Sequence, residues 1–457
     1  MKPSLLILLG LGNVLGMGES TLRDGQAGLP TPQSTKSFWH SDPSHVLLGH
    51  RTTKDLPVTA DVVVIGSGIS GSFAARELVA GGKAVVMLEA REACWGATGR
   101  NGGHCQPSIY TTKPHLAQFE LATYQFLEDL VAQHNISCDW RRVGGVHALP
   151  TQEAVDLAAQ ALESLRREHP DLADKATLFT DKQDLEKLRV SNASGAVLQS
   201  HAAKLWPYKL VAWVLETLLK ENCAEKFNLQ TLTPVTQLQK IVAKDVMLAT
   251  NAYSSYLLPN VSDLIVPVRG QVAALRQPNG SVPLEHSHVW LPGPSDNYLI
   301  ERDGIQGPII VGGERQSVPD GGEGVWRDDS IDEVVAKLLR RSLHSALKLR
   351  PVGEAEEEEL EASYEWTGIM GYSKDNHPWV GPVPQELGGG GERGGLWISA
   401  GFTGHGMPVA ARCAIGVAQM ILGKGDGVEI PKEFLISGER AEGPMGTPFA
   451  KRVSWMI

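Results

Sequence analysis

The run Asp61-Val62-Val63-Val64-Ile65 leads without a break into Gly66-Ser67-Gly68-Ile69-Ser70-Gly71. A stretch this rich in β-branched residues, with no polar alternation, reads as a strand buried on both faces, as in a parallel sheet. The glycines then fit a strand-to-helix turn. Gly66 permits the tight turn, Gly68 lets backbone approach a pyrophosphate, and Gly71 lets the helix pack on the strand. The helix N-terminus faces the anion. Ser72 to Ala80 continues as helix, and Lys83 to Glu89 is a second apolar strand. Glu89, followed by Ala90 and Arg91, ends that strand eighteen residues after Gly71, where a carboxylate can bind ribose hydroxyls. The chain thus opens its ordered part with a βαβ nucleotide-binding unit.

At 457 residues the chain has room for two or three domains, or for one α/β unit with a second domain inserted. A net charge of −10 leaves no broad basic face for phosphate backbones, so nucleic acid is not an expected partner. Helical periodicity recurs at Pro114 to His134, Gln152 to Arg167, Lys209 to Lys220, Asp332 to Leu349 and Val409 to Leu422. Strand-like runs fall at Val146 to Leu149, Ala196 to Leu198, Val246 to Ala249, Gln271 to Leu275, Tyr298 to Ile300, Ile309 to Val311 and Trp397 to Ser399. This distribution predicts a nucleotide domain over 57–111, 207–262 and 364–425, interrupted by a β-rich substrate domain over 112–206 and 263–363. Residues 19–56 read as a polar surface arm anchored by Ser37-Phe38-Trp39-His40, and 426–457 as a tail. Glu356 to Glu359 reads as a solvated acidic face, and Gly388 to Gly395 as a loop tip.

Lys2 followed by the apolar run Leu5 to Leu15, with Gly16-Met17-Gly18 as a small-x-small cleavage pattern, reads as a signal peptide over residues 1–18. Four sequons, at Asn135, Asn192, Asn260 and Asn279, among eleven Asn exceed the roughly one expected by chance, and point the same way. The alternative is a cytoplasmic chain. No other stretch is apolar enough for a transmembrane helix. The cysteines, Cys94, Cys105, Cys138, Cys223 and Cys413, are odd in number and lack C-x-x-C spacing, so neither a disulfide framework nor a Cys-based metal site is expected. Cys105 lies beside a Gly-rich loop and is the one thiol placed to touch a ligand.

That loop, Ala97-Thr98-Gly99-Arg100-Asn101-Gly102-Gly103-His104, is too Gly-rich for a helix and too polar for a strand, and it can wrap a long ligand. Near the C-terminus Gly401-Phe402-Thr403-Gly404-His405-Gly406 again follows a strand and opens a helix, whose N-terminus suits a further anionic group such as a reduced flavin. With Leu248-Ala249-Thr250-Asn251-Ala252, Pro267-Val268-Arg269-Gly270-Gln271 and Asp375-Asn376-His377-Pro378, these motifs make the sequence resemble the FAD-dependent oxidoreductases of the D-amino-acid oxidase superfamily. The glycine oxidase, sarcosine oxidase and gamma-glutamylputrescine oxidase branch is the most similar, over most of Asp61 to Gly423. The resemblance implies an α/β fold in which a Rossmann-like FAD-binding domain is interrupted by a β-rich (α+β) substrate domain. It implies noncovalent FAD contacted by Gly66 to Gly71, by Glu89, Ala90 and Arg91, and by Thr98 to Gly103. Val235 would meet adenine; Thr250 and Asn251, then Gly401 and Thr403 to Met407, would complete the site. The implied reaction takes hydride from the carbon beside an amine, in an amine or amino-acid substrate, with oxygen reoxidising the flavin.

Two departures stand out. Only Ile241 to Asp245 intervene where relatives carry a two-strand excursion, and the segment Trp366 to Pro382 has no cysteine to carry covalent flavin. Arg100 and His405, inside the flavin motifs, are the catalytic candidates, because a cation near the flavin pyrimidine would stabilise developing negative charge. Trp206, Tyr208, Trp290, Tyr298 and Trp366 are candidates for an aromatic cage around the substrate amine, with core packing as the competing role. No metal is expected. Two other functions share the motifs: a dehydrogenase passing electrons to a quinone or carrier, and a non-catalytic flavin-fold protein, the latter suggested by the short connection.

Overall fold

The computed structural model describes residues 5–8, 22–236, 239–291, 297–303, 307–351, 353–390, 395–425 and 427–444. Most of the leader with its cleavage pattern, the end of the Gly388 to Gly395 loop and the last part of the tail lie outside the described residues.

Two large sheets organise the chain. In the first, the strands run in the order Phe227–Gln230, Val85–Leu88, Thr59–Ile65, Gln239–Leu248, Leu396–Ala400, Trp379–Pro382, parallel except for the last pair. Val62, Val63 and Val64 are fully buried, as a strand covered on both faces requires. Helix Ile69–Ala80 covers one face together with Ala410–Leu422 and Pro207–Glu221. The short connection at Ile241 to Asp245 is not a loop. It lies within the ten-residue strand Gln239–Leu248, which pairs directly with Thr59–Ile65, so the sheet closes without an excursion. Leu5–Leu8 pairs antiparallel with the start of that strand.

The second sheet has eight strands in the order Ala362–Ser373, Ile265–Leu275, Ile309–Gly313, Tyr298–Glu301, Ser287–Trp290, Gly145–Leu149, Gly195–Gln199, Ala176–Phe179. All pairs are antiparallel except Ser287–Trp290 with Gly145–Leu149. The twelve-residue strand Ala362–Ser373 places this sheet's end at Ser373, beyond the expected boundary at 363, because its full length pairs with Ile265–Leu275. The expected helix over Asp332 to Leu349 divides into Glu333–Arg341 and Leu343–Ala346.

One of the two expectations for the flanking segments is corrected. The arm is not a surface feature: Ala27 and Trp39 are fully buried and Leu47 nearly so. Trp39 donates from Nε1 to Asn101 O (2.5 Å), and Ser37 Oγ donates to Gly99 O (2.9 Å), so the arm packs on the Gly-rich loop. The acidic run is a solvated face as expected: Glu357, Glu358 and Glu359 are exposed and pair there with Arg350, Arg341 and Arg340. Glu356 accepts from the Leu349 and Arg350 backbone N–H groups, which closes that segment on itself.

Candidate active site

The strand-to-helix turn has the geometry its glycines imply. Gly66 has φ +102°, and a Cβ there would lie 2.5 Å from Ala249 O. At Gly71 a Cβ would overlap the Gly66 carbonyl oxygen, so only glycine lets the helix sit this close to the strand. Gly68 begins the helix with no side-chain cap, leaving the turn open toward the cavity. Thr98 Oγ1 accepts from Ile69 N (3.1 Å) and so ties the second loop to this helix start.

Glu89 is buried at the strand end. Its Oε2 accepts from Ser67 N (3.0 Å) and Ser67 Oγ (2.7 Å), and its Oε1 from Arg91 N (2.9 Å). The carboxylate therefore braces the turn as well as facing the cavity. Thr233 N donates to Glu89 O (2.8 Å), which carries Val235 to the same end.

A cavity of about 370 Å³ runs from this turn to the face of the second sheet. It is lined by the turn, by Glu89 to Arg91, by Thr98 to Gly102 except Gly99, by Val235, by Thr250 and Asn251, and by Gly404 to Met407. Gly71, Gly99, Gly103, Gly401 and Thr403 do not line it and act instead in packing and turns. Gly401 (φ +77°) donates from N to Asn251 Oδ1 (3.0 Å), joining two motifs 150 residues apart.

The two catalytic candidates separate. His405 lines the cavity, with Nε2 2.8 Å from Glu120 Oε2 and 3.2 Å from Ser108 Oγ. Arg100 borders the cavity, but its guanidinium is bound within the protein. Nε donates to Thr367 O (2.6 Å), Nη1 to Ser34 Oγ (3.1 Å) and Nη2 to Thr35 O (2.5 Å), with Asp328 Oδ2 3.4 Å from Nε. Burial pulls its pKa down to about 10 against the opposing pull of Asp328. This placement does not suit a cation acting on a flavin ring; Arg100 fastens the arm to the loop. Arg91 similarly makes a two-pronged ion pair with Asp328, at 3.0 and 2.9 Å.

Of the five aromatic candidates, Tyr298 alone lines the cavity, resting where side chains at Gly102 and Gly312 would overlap its ring. Trp206 packs on Phe38 and Trp39, Tyr208 OH accepts from Ser44 N, Trp290 stacks near His288, and the fully buried Trp366 donates to Arg100 O. Their large apolar area serves the core, so no cage forms from them. Cys105 is fully buried, does not line the cavity, and has its thiol pushed up by burial. His104 does line it, with Nε2 3.1 Å from Leu299 O and its pKa lowered to about 4 by burial.

Several wall residues carry no sequence signal of their own. His147 lies with Nε2 2.6 Å from Gln106 and 3.0 Å from Gln199, and Nδ1 3.0 Å from Tyr110 OH. Burial, then His405, lowers its pKa to about 4, so His147 enters this end of the cavity as a neutral hydrogen-bonding group. Arg315 lies over the Tyr372 ring, 5.2 Å from its centroid, and both line the cavity. Among the described residues no His, Cys, Asp and Glu group could hold a metal, and no helix is long and apolar enough to cross a membrane.

A parallel sheet with a glycine turn at its switch point, opposed by an antiparallel sheet across one cavity, defines a dinucleotide-dependent oxidoreductase. The model of the FAD-dependent oxidoreductase (DAO) family matches residues 61–420, and the chain belongs to that family. It is similar to the probable oxidoreductase OrdL of Haemophilus influenzae, 22% identical over 407 residues, covering 81% of this chain and 85% of that protein. Against the gamma-glutamylputrescine oxidoreductase of Escherichia coli it is 22% identical over 396 residues, covering 80% and 84%. Among solved structures, glycine oxidase from Geobacillus kaustophilus superposes with a TM-score of 0.67 at 18% identity, covering 84% of this chain and 99% of that one. The enzyme uses FAD, and the cradle fits it: glycines where side chains would collide, a buried carboxylate at the strand end, and a cavity continuous with both.

Proposed function

We propose that the protein oxidises the C–N bond of a small amine or amino acid to an imine, with oxygen as electron acceptor. The observation that carries this reading is the single cavity lined by the glycine turn, the Thr98 to Gly102 loop, Ala249 to Ala252, Gly270 and Gln271, and Gly404 to Met407, and, opposite them, by the inner face of the eight-stranded sheet. FAD, when bound, supplies the hydride acceptor. The chain supplies placement. The turn at Gly66 to Gly71 would hold pyrophosphate, Glu89 the ribose and Val235 the adenine, without covalent attachment. Across the cavity, Arg315 above Tyr372 offers a cation suited to a substrate carboxylate, and Tyr298 shapes the wall between. The name of the Escherichia coli relative supports an amine substrate, and glycine oxidase an amino acid. Hydrogen peroxide formed in step with substrate loss, over a panel of amines and amino acids, supports an oxidase. Turnover that needs a quinone or dye and yields no peroxide contradicts the oxygen assignment.

We also propose entry into the secretory pathway. Lys2 with Leu5 to Leu15 supports it, as do the four sequon asparagines, all of them exposed. A mature N-terminus at Met1 with all four asparagines unmodified contradicts it.

A further inference from the structure

Helix Pro114–His134 buries Leu116, Phe119, Thr123, Tyr124 and Leu127 on one face, and Glu120 stands on that face. A carboxylate there, about 5% exposed, requires partners. It has two on one oxygen: Ser108 N donates to Oε2 at 2.7 Å, and His405 Nε2 lies 2.8 Å from the same atom. Two donors converging on one carboxylate oxygen fix it as an acceptor, so the His405 proton at this contact resides on Nε2. His405 itself sits in the cavity, in the loop that leads into helix Ala410–Leu422. Glu120 is separated from it by 285 residues and belongs to no flavin motif.

We propose that Glu120 is the positioning residue for His405, holding its imidazole by Nε2–H so that the ring keeps one tautomer and one orientation toward the flavin. The inference rests on the FAD-dependent reading of the cavity. With Nε2–H committed to Glu120, the tautomer presents Nδ1 as a fixed acceptor, and an acceptor set against an N–H that the flavin gains on reduction would stabilise the reduced form. Released from Glu120, the ring can turn or exchange its tautomer, and that stabilisation weakens.

The test is the flavin midpoint potential of the holoenzyme, measured without substrate, for wild type, Glu120→Gln, His405→Asn and the double variant. Positioning lowers the potential in both single variants. A tenfold loss of reduced-flavin stabilisation reads as about 30 mV for a two-electron couple. The double variant lies no lower than His405→Asn, because Glu120 acts through His405. A Glu120 acting only through its own negative charge would instead raise the potential when removed. A raised or unmoved potential in Glu120→Gln, or additive shifts in the double variant, overturns the proposal. Should Glu120→Gln not hold FAD, Glu120→Asp keeps the charge but shortens the reach, and an unmoved potential there overturns it equally. A wild-type chain that takes up no FAD contradicts the cavity's function and this inference with it; FAD uptake with unmoved potentials contradicts the role of Glu120 alone.

Discussion

Asp328 grips Arg91 through both carboxylate oxygens, at 3.0 and 2.9 Å, with the two side chains nearly inaccessible to solvent. The same carboxylate accepts from Thr31 Oγ1 (2.6 Å) of the arm and lies 3.4 Å from Arg100. One acid from residue 328 therefore ties the segment after Glu89, the Gly-rich loop and the arm together. Removing it leaves two buried cations without their counter-ion. Asp328→Ala is expected to cost about 3 to 5 kcal/mol, read by chemical denaturation, and to lower FAD retention. A loss under about 1 kcal/mol, the range of an exposed pair, would show that the cluster is not closed in solution.

The arm gives a second test. Trp39 is fully buried among Phe38, Trp206 and Gly103, and its indole N–H holds Asn101 O. Trp39→Ala is expected to destabilise by about 3 to 5 kcal/mol, as truncation of a core aromatic does, and to speed FAD release. A free surface arm would show almost no change in either.

Glu89 and Arg100 are expected to fail differently. Glu89→Ala removes the acceptor proposed for the ribose and the brace on Ser67, so FAD affinity should fall by about 1.5 to 3 kcal/mol, with turnover returning in excess FAD. Arg100→Ala removes the link between loop and arm, so its loss should appear in denaturation midpoint. Equilibrium FAD titration and urea unfolding on both variants separate the two effects. A normal unfolding midpoint for Arg100→Ala, with flavin reduction impaired at saturating FAD, would return Arg100 to the catalytic role read from its sequence position.

Acid should destabilise the fold through buried histidines. His40 is lowered to about 3, and His104, His147 and His288 to about 4, each by burial first. Unfolded histidine titrates near 6.5, so between about pH 6.5 and 4 the unfolded chain binds more protons and stability falls with pH. Each such histidine contributes up to about 3 kcal/mol over that window. Unfolding free energies at pH 7, 6 and 5 should decline steadily, and a flat profile above pH 5 would show these rings open to protonation in the native state.

The first strand, the glycine turn, helix Pro114–His134 and all three flavin loops were legible in the sequence because each is a local pattern. Strand Ala362–Ser373 was not, since Gly368 and Gly371 interrupt its apolar run. Both glycines answer to tertiary contacts: a Cβ on Gly368 would come within 3.1 Å of Arg100 Cβ, and one on Gly371 within 2.6 Å of Asn251 Oδ1. Asp328 and Glu120 escaped for a related reason. Their partners lie 237 and 285 residues away, and nothing next to them in the chain distinguishes them from surface acids. Trp206 and Trp366 were open to two roles in the sequence, cage or core, and only their contacts place them in the core, because a large aromatic serves packing as readily as recognition.

The decisive measurement is the visible spectrum of the purified protein, recorded anaerobically before and after addition of amines and amino acids and again after air is admitted. Amine oxidation through FAD requires flavin bands in the resting protein, their bleaching by at least one amine or amino acid, and their return with oxygen as peroxide forms. A protein without flavin absorbance even after reconstitution with FAD, or one whose bound flavin no amine or amino acid bleaches, would contradict it.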